Sequence, residues 1–237
     1  MKIALIGYGK MGRAIEDEAV KRGHTIVLRA DSKGDFKGSL QGADIAIEFT
    51  QPEAAVNNMY ACFDAGIPVV VGTTGWYEQY ETVMNACTEK NGTLFTATNY
   101  SIGVNLFFAA NRYLAKLMGN HPNYKANIIE VHHKQKLDAP SGTAITTAEQ
   151  LMGSHTAYKT WGLQGRDPLK EGVLPIQAIR EDDVPGIHEV FYRSEIDEIS
   201  LRHSAFSRKG FAQGAVLAAE WVAGKKGVFT MSDLLNF

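Results

Sequence analysis

Residues 2–12 read Lys2-Ile-Ala-Leu-Ile6-Gly7-Tyr8-Gly9-Lys10-Met11-Gly12, and this stretch decides the fold of the first part of the chain. The apolar run before the glycines is typical of a short buried strand. After the glycines, Arg13 to Arg22 has a helical pattern that Gly23 ends, and Thr25 to Leu28 begins a second strand. A strand, a glycine-rich turn, a helix and a parallel strand within about thirty residues predict the first unit of a Rossmann-type sheet.

The spacing of the glycines has a physical meaning in that context. Gly7 allows the tight turn, Gly9 lets the backbone approach a pyrophosphate, and Gly12 allows the helix to pack closely on the strand. The first N–H groups of the helix have no intrahelical partner and attract phosphate groups. The stretch therefore predicts a dinucleotide-binding site.

The end of the second strand bears on the choice of dinucleotide. Asp31 stands about twenty positions after the glycines, where an acidic residue usually binds the adenosine ribose hydroxyls. Arg29 and Lys33 could instead meet a 2′-phosphate, so the residues leave NADH and NADPH both open. The segment from Asp31 to Asp35 can also be read as a simple polar turn.

Strands and helices continue to alternate as far as residue 101. The expected strands are Asp44–Thr50, Ile67–Val71 and Thr93–Thr96, and the expected helices are Pro52–Ala65 and Trp76–Lys90. Gly72-Thr73-Thr74-Gly75 follows the fourth strand, and such a turn at a carboxyl strand end belongs at the ligand crevice of an open α/β sheet. The alternation predicts a parallel sheet with right-handed connections.

The pattern changes after Ser101. A long helix is expected over Val104–Met118, followed by strands at Lys125–Val131, Ile176–Arg180, Glu189–Arg193 and Glu195–His203, with a Gly- and Pro-punctuated region over Trp161–Pro175. Several strands without long helices between them predict an antiparallel or mixed sheet. Gly210–Ala223 is expected as a last helix and Phe229–Leu235 as a short terminal turn. The predicted fold class is α/β, with a Rossmann-type parallel sheet followed by an α+β part with an open mixed sheet.

The densest group of chemically active side chains lies between Glu130 and Ala144. Side chains alternate along a strand, so Glu130 and His132 would share one face, and His133 would start the loop. The segment from Ala144 to Met152 has strong helix formers, with Thr143 as its expected N-cap. An imidazole, mobile ammonium groups and a helix start suit an acidic small molecule that must be held and protonated. The alternative is a solvated basic loop before an ordinary helix.

Composition excludes several classes of protein. The 24 basic and 26 acidic residues leave a formal charge of −2, so no global basic field attracts nucleic acid. The two cysteines, Cys62 and Cys87, are expected to be buried reduced thiols rather than a disulfide framework. No apolar run reaches the roughly twenty residues of a membrane span. No signal-peptide pattern precedes the first strand, so a cytoplasmic protein is expected.

These motifs together resemble those of bacterial 4-hydroxy-tetrahydrodipicolinate reductase, the dihydrodipicolinate reductase of the lysine and diaminopimelate pathway. The most specific part of the resemblance is Glu130-x-His132-His133-x-x-Lys136-x-Asp138-Ala-Pro-Ser-Gly-Thr-Ala144. It is supported by Gly72-Thr-Thr-Gly75, Asn99-Tyr-Ser-Ile-Gly-Val-Asn105, His203-Ser-Ala-Phe-Ser-Arg208 and Phe211-Ala-Gln-Gly-Ala215. The resemblance covers nearly the whole chain.

The resemblance implies two domains and an assembly. Residues 1–101 and 209–237 would form the dinucleotide-binding domain, and residues 102–208 the substrate-binding and tetramerisation domain, whose open sheet joins four subunits. The expected contacts of NADH or NADPH are Gly7, Tyr8, Gly9, Lys10, Met11, Gly12, Asp31, Gly72, Thr73, Thr74, Ala97, Thr98, Asn99 and Tyr100. The expected partners are a small dicarboxylate substrate and three further copies of the chain, with no nucleic acid, membrane or metal.

The resemblance also implies residue roles. His132 would be the catalytic acid, Lys136 the proton donor or its electrostatic helper, and His133, Gly142 and Thr143 would hold the substrate carboxylates. Hydride transfer to C4 of a cyclic imine-type intermediate builds negative charge that must be protonated. A histidine with an ordinary pKa of about 6.5 suits that step near neutral pH.

The sequence departs from the family pattern at two places, and three alternative functions are compatible with parts of it. The first loop is one residue shorter than the usual Gly-x-Gly-Gly-x-Met-Gly form, and Ile187 replaces a glutamate of the usual Val-Gly-Glu-His-Thr segment. A non-catalytic dinucleotide sensor would bind cofactor without turnover. Another dehydrogenase, such as one acting on an aspartate-derived aldehyde, would need a catalytic cysteine or a lysine dyad. A metal hydrolase built on His132 and His133 lacks an obvious third ligand.

Overall fold

The computed structural model describes residues 1–31, 36, 38–165, 169–207 and 209–237. The chain divides into two compact units. The first unit comprises Met1–Ile102 and Lys209–Phe237, and the second comprises Gly103–Arg208. Among the helices of the described residues, none combines the length and the apolarity needed to cross a membrane.

The first unit is built on a parallel sheet. Its strands are β1 (Lys2–Ile6), β2 (Thr25–Ala30), β3 (Ile45–Glu48), β4 (Val69–Val71), β5 (Thr93–Thr96) and β11 (Gly227–Phe229). Its helices are α1 (Lys10–Lys21), α2 (Pro52–Asp64), α3 (Tyr80–Glu89), α6 (Lys209–Val222) and α7 (Met231–Leu235). The strand order is β11-β5-β4-β3-β1-β2, and every pairing is parallel. The predicted Rossmann-type sheet is thereby confirmed.

Helices cover both faces of this sheet. Alternate residues of each strand line each face, because successive side chains point to opposite sides. On β1, Ile3 and Leu5 belong to the apolar core that contains residues of α1 and α6. The alternate residues Ala4 and Ile6 belong to the core that contains residues of α2 and α3. A strand buried on both faces reads as a continuous apolar run, which is why its sequence lacks an alternating pattern.

Two elements of the first unit differ from the sequence-based prediction. The expected terminal turn at Phe229–Leu235 is the strand β11 followed by the helix α7. The three residues of β11 become a strand by pairing with β5, which the local sequence does not reveal. The helix expected from Trp76 begins instead as a 3₁₀ turn over Tyr77–Gln79, and the α-helix starts at Tyr80.

The second unit is built on a mixed sheet, as predicted. Its elements are α4 (Ile102–Met118, whose first residue lies in the first unit), β6 (Lys125–His132), α5 (Gly142–Ser154), β7 (Thr160–Leu163), β8 (Val173–Arg180), β9 (Gly186–Arg193) and β10 (Glu198–Ala205). The strand order is β10-β9-β6-β8-β7. The strand β6 runs parallel to β8 and antiparallel to β9. The strand β7 falls in the region expected to be irregular, because a four-residue edge strand has little pattern of its own.

One face of this sheet packs against α4 and α5 in an apolar core. The side chains of the other face do not belong to that core. Ile128 and Val190 point into the core that contains residues of α4 and α5. The alternate residues form a face that we call the open face, and its apolar members are half-buried: Ile129, Val131, Ile179, Ile187 and Phe191. The departure at Ile187 therefore adds an apolar side chain to the open face, away from the core.

Candidate active site

The strand β6 carries two candidate catalytic side chains, Glu130 and His132, on the face of the second sheet that packs against helices. Glu130 is fully buried, and His132 is nearly so with 8 % of its surface exposed. The two side chains share one face, as predicted, and His132 Nδ1 is hydrogen-bonded to a carboxylate oxygen of Glu130. With Nδ1–H donating to the carboxylate, Nε2 is the ring atom left to exchange a proton.

Arg180 keeps the carboxylate of this pair ionised. It stands opposite His132 on the neighbouring strand β8, and its Nη1 donates to Glu130 Oε1 at 2.9 Å. Burial opposes ionisation of Glu130, but the hydrogen bonds from His132 and Arg180 outweigh it, and the pKa of Glu130 is lowered. Arg180 was not predicted as a site residue, because the sequence does not show which residues lie opposite one another across a sheet.

The loop after β6 carries the predicted lysine. His133 leaves the strand, and Lys136 Nζ donates to both carboxylate oxygens of Asp138 at 2.8 Å. Burial alone would raise the pKa of Asp138, but the hydrogen bond from Lys136 lowers it. Arg180 Nη2 donates to the carbonyl oxygen of Asp138 at 2.6 Å, so the guanidinium that binds Glu130 also ties the loop to the sheet.

The start of α5 differs in one residue from the prediction. The N-cap is Ser141, whose hydroxyl accepts the Ala144 N–H at 3.2 Å, so Thr143 lies in the first helical turn and is not the cap. A Cβ at Gly142 would meet nothing within 4 Å, which leaves open space beside the helix start. The first N–H groups of a helix attract anions, so this end suits a carboxylate. His133, close by in sequence, has a buried Nδ1 without a hydrogen-bond partner among the described residues.

The strand β9 contributes two residues that the sequence analysis did not single out. His188 stands opposite Glu130, and its ring centroid lies 5.1 Å from that of His132. A Cβ at Gly186 would lie 3.0 Å from His132 Nε2, so the glycine leaves room beside that atom. Glycine and histidine two apart are a weak signal in sequence, and only the strand pairing brings them to the acid.

Glu130, His132 and His188 lie close enough to one another to hold a metal ion, but this group does not include His133, on which a metal hydrolase was considered. Glu130, however, is already bonded to both His132 and Arg180. A guanidinium on the same carboxylate opposes the binding of a cation there. The arrangement favours proton transfer over metal binding.

The glycine turn of the first unit has the geometry that a pyrophosphate requires. Gly7 has a φ of +102°, and a Cβ there would collide with the carbonyl oxygen of Phe49. A Cβ at Gly12 would collide with the carbonyl oxygen of Gly7. The helix α1 begins at Lys10 behind Gly9, which offers no side-chain cap to its first N–H groups. The shorter loop thus still presents a bare helix start, and these residues fit a dinucleotide.

A cavity of about 260 Å³ lies beside this turn. It brings together residues from the ends of several strands and from the start of α1, namely Met11, Phe49, Thr50, Pro52, Gly72, Thr73 and Thr74. The predicted Met11 and Gly72–Thr74 therefore meet at one crevice. Phe49, Thr50 and Pro52 were not predicted as site residues, although they follow β3 as Gly72 follows β4.

The floor of this crevice rests on a buried glutamate that the sequence analysis did not identify. Glu48 is fully buried at the end of β3, and burial raises its pKa. Its Oε1 accepts hydrogen bonds from the hydroxyl of Thr50 and from the Thr50 N–H at 3.1 Å. The Thr50 N–H also donates to Thr73 Oγ1 at 2.7 Å, so the two crevice threonines are held together.

The remaining predicted cofactor residues differ in whether their side chains are buried or already hydrogen-bonded within the protein. The Tyr100 side chain is buried in the core, and its hydroxyl donates to the Val71 carbonyl oxygen at 2.7 Å. Asn99 Oδ1 accepts the Ser101 N–H at 2.9 Å. Ala97 is half-buried and Thr98 exposed after β5.

The residues expected at the ribose end are only partly described. Asp31 is exposed at the end of β2, whereas Lys33 and the rest of the polar turn to residue 35 lie outside the described residues, as does Arg208 of the family motif. Arg29 Nε donates to Glu16 at 2.9 Å, and the Tyr8 hydroxyl donates to the same carboxylate. The hydrogen bonds from Arg29 and Tyr8 lower the pKa of Glu16 to about 2. The charge of Arg29 is thus already paired.

Comparison with known proteins matches the chain to one family along its length. A family model described as dihydrodipicolinate reductase, N-terminus, matches residues 1–100, and one described as dihydrodipicolinate reductase, C-terminus, matches residues 103–235. A protein of Christiangramia forsetii named 4-hydroxy-tetrahydrodipicolinate reductase is 45% identical over 242 residues, covering 100% of this chain and 98% of its own. One of the same name from Chromobacterium violaceum is 35% identical over 267 residues, covering 99% and 98%.

Solved structures share the fold. Dihydrodipicolinate reductase from Paenisporosarcina sp. TG-14, with dipicolinate bound, superposes with a TM-score of 0.74 at 24% identity, over 97% of each chain. A probable dehydrogenase from Thermotoga maritima superposes with a TM-score of 0.61 at 12% identity, over 99% of this chain and 92% of its own.

Proposed function

The chain belongs to the dihydrodipicolinate reductase family, and we propose how its residues carry out the reaction of that family. The enzyme is an NAD(P)H-dependent oxidoreductase that reduces 4-hydroxy-tetrahydrodipicolinate to tetrahydrodipicolinate in lysine and diaminopimelate biosynthesis. The observation that carries the residue assignment is the Glu130–His132 pair, which lies on a strand that leads into the basic loop and the start of α5.

His132 acts as the catalytic acid. When bound, NAD(P)H supplies the hydride, and its addition builds negative charge on the substrate ring. The imidazolium of His132 donates a proton from Nε2 to that ring, while the ionised Glu130 stabilises the imidazolium through Nδ1. A buried carboxylate that is itself held by Arg180 keeps the imidazole in one tautomer and one orientation.

The loop and the start of α5 hold the substrate carboxylates. The relative from Paenisporosarcina carries dipicolinate, a ring with two carboxylates. We assign one carboxylate to the helix start at Gly142 and Thr143 and to His133, and we assign the other to the field of Lys136. Lys136 is bonded to Asp138, and a substrate carboxylate can compete for the same ammonium group. Lys136 is then the electrostatic helper of the acid.

The first unit binds the nicotinamide cofactor. The collisions that a Cβ would cause at Gly7 and Gly12, together with the uncapped start of α1, support binding of the pyrophosphate at residues 7–12. Gly72, Thr73, Thr74 and residues 97–100 follow the carboxyl ends of β4 and β5, where ligands of open α/β sheets bind. Asp31 is assigned to the adenosine ribose.

We infer that the enzyme is a cytoplasmic homotetramer that associates through the open face of the second sheet. The apolar side chains of that face are half-buried in the single chain, and a second copy would remove them from water. Ile187 adds to this apolar area, which is consistent with a face that is covered.

A coupled assay tests the proposed function. The substrate is generated from pyruvate and aspartate semialdehyde by the preceding synthase, and oxidation of NADH and of NADPH is followed by absorbance. Oxidation that depends on this enzyme and on both precursors is expected. Cofactor binding without any oxidation would instead identify a dinucleotide sensor and refute the assignment.

A further inference from the structure

His188 lies beside His132 and opposite Glu130 on the second sheet, and it has no role in the proposed mechanism. Its side chain is 4 % exposed and has polar groups of several neighbouring elements around it. These groups are Glu130 and His132 of β6, His203 of β10, Lys136 of the loop and Ser141 at the start of α5. A buried polar ring among charged groups calls for a structural or functional explanation.

The contact with Ser141 places a hydroxyl group against Nε2 of His188. Ser141 Oγ accepts the Ala144 N–H and lies 3.1 Å from His188 Nε2, so the hydroxyl hydrogen is free to point at that nitrogen. His188 Nδ1 has no hydrogen-bond partner among the described residues. A doubly protonated ring would bury a positive charge beside His132 and Lys136, which oppose it, although Glu130 favours it. Burial, with help from His132, accordingly lowers the pKa of His188 to about 3.

The same ring is a wall of the acid site. The planes of His188 and His132 meet at 69°, with the centroids 5.1 Å apart, so one ring presents its edge to the other. Gly186, two residues earlier on the same strand, leaves the space beside His132 Nε2. One strand therefore restrains the orientation of His132 and also holds the N-cap of α5.

We propose that His188 is a positioning residue that ties Ser141, the N-cap of the carboxylate-binding helix, to the acid His132. This inference rests on the proposed function. As a neutral acceptor His188 orients the Ser141 hydroxyl, which sets the first turn of α5 where a carboxylate of the substrate binds. As a ring against His132 it keeps the acid turned towards the same substrate. Substrate capture and protonation are thus aligned by one side chain.

Three variants test the tie on the NADH-loaded enzyme, with dipicolinate as the probe in calorimetric titrations. His188→Phe keeps a ring but removes the acceptor, and Ser141→Ala removes the donor. Each should weaken dipicolinate roughly ten-fold, because a buried polar group is left unpaired or a cap is lost. The double variant should be no weaker than the worse single variant, since both changes break one interaction. Additive losses would overturn the proposal.

A conservative substitution separates positioning from mere packing. The amide oxygen of His188→Gln can accept the Ser141 hydroxyl, so this variant should retain dipicolinate affinity within about three-fold of the natural enzyme. In turnover, Ser141→Ala and His188→Phe should chiefly raise KM, whereas His188→Gln, which lacks the ring that packs against His132, should chiefly lower kcat. A His188→Gln variant as weak as His188→Phe would contradict the proposal.

His155 provides the matched control. It is also a buried histidine of the second unit, but it follows the other end of α5 and stacks on Tyr192. His155→Phe should leave dipicolinate affinity unchanged, and an equal loss there would mean that any buried imidazole matters. If His188→Phe fails to fold by circular dichroism, Ser141→Ala and His188→Gln decide the question. Failure of the natural enzyme to bind dipicolinate or to turn over would refute the proposed function itself, which is a separate outcome.

Discussion

The pKa of a buried carboxylate in this enzyme depends on whether a positively charged group is bonded to it. Glu130 is buried yet ionised because two donors, His132 and Arg180, bond its oxygens. Glu48 is buried in the other unit, where hydroxyl and amide groups of Thr50 and Asn58 donate to it, and burial raises its pKa. Two glutamates with the same burial therefore have pKa values shifted in opposite directions, and Glu130, not Glu48, lies beside an imidazole.

Replacing His132 by alanine tests the acid directly. We expect kcat to fall by about a hundred-fold or more, since general acid catalysis contributes typically 10²–10⁴-fold. The affinity for NADH should change by less than about two-fold, because the proposed pyrophosphate contacts are made by the glycine turn and not by His132. Steady-state turnover and fluorescence titration with NADH measure the two quantities. Unchanged kcat would remove His132 from the mechanism.

At the scale of elements, α1 shows how backbone packing makes a binding site. Its first turn lies so close to Gly7 that Gly12 has no room for a side chain beside the Gly7 carbonyl oxygen, and Gly7 in turn has none beside the Phe49 carbonyl oxygen. The close approach leaves the first N–H groups of α1 facing outward at the turn, where they can meet an anion. In α5, by contrast, the cap is a serine side chain, and its histidine partner lies on a separate strand.

Gly12→Ala should therefore weaken NADH binding by at least about ten-fold, because the new Cβ would collide with the Gly7 carbonyl oxygen and push α1 off the turn. Calorimetric titration with NADH provides the measurement. Gly153→Ala in α5 is the control, since its Cβ would meet nothing within 4 Å and alanine favours a helix. Unaltered NADH affinity in Gly12→Ala would argue against the pyrophosphate site.

At the scale of the whole molecule, buried neutral histidines make stability depend on pH. His188 has a folded-state pKa of about 3, whereas an unfolded histidine has a pKa of about 6.5. Between these values the unfolded chain binds a proton that the folded chain does not, so stability is lost as the pH falls through about 6.5. The neighbouring Glu130, His132, Lys136 and His203 share this environment.

We expect the free energy of unfolding to fall between about pH 7.5 and pH 5.5, with His188 accounting for about 1 kcal/mol of the loss. His188→Gln should remove that share, and His121→Gln, at an exposed histidine, should not. Urea denaturation of the three proteins at the two pH values checks this. Equal pH dependence in His188→Gln and the natural enzyme would show that His188 does not govern it.

Assembly of the subunits is also a property of the whole molecule. Phe191→Glu places a charge on the open face and should shift the proposed tetramer to smaller species, because burying an unpaired charge is costly. Val27→Glu is the control, since Val27 is 43% exposed on β2 in the first unit. Light scattering after size exclusion gives the mass. A Phe191→Glu protein that keeps the mass of the natural enzyme would contradict association through the open face.

The parts of this protein that could be predicted from sequence are those whose determinants are local. The Gly7–Gly12 turn is contiguous, and the alternation of buried strands and helices follows from side-chain periodicity. Glu130 and His132 share a face for the same reason, and His133, Lys136 and Thr143 follow within a few residues. Even here the cap moved from Thr143 to Ser141, because either hydroxyl suits a helix start and only the backbone conformation distinguishes them.

Tertiary structure alone decided the partners that arrive from other strands. Arg180, Gly186 and His188 meet Glu130 and His132 because β8 and β9 pair with β6 in one register. A shift of one residue would turn all three to the other face. Register depends on contacts between segments about fifty residues apart, and those contacts leave no periodic trace within either segment. The sequence therefore determined which groups could do the chemistry, and strand pairing determined which of them stand together.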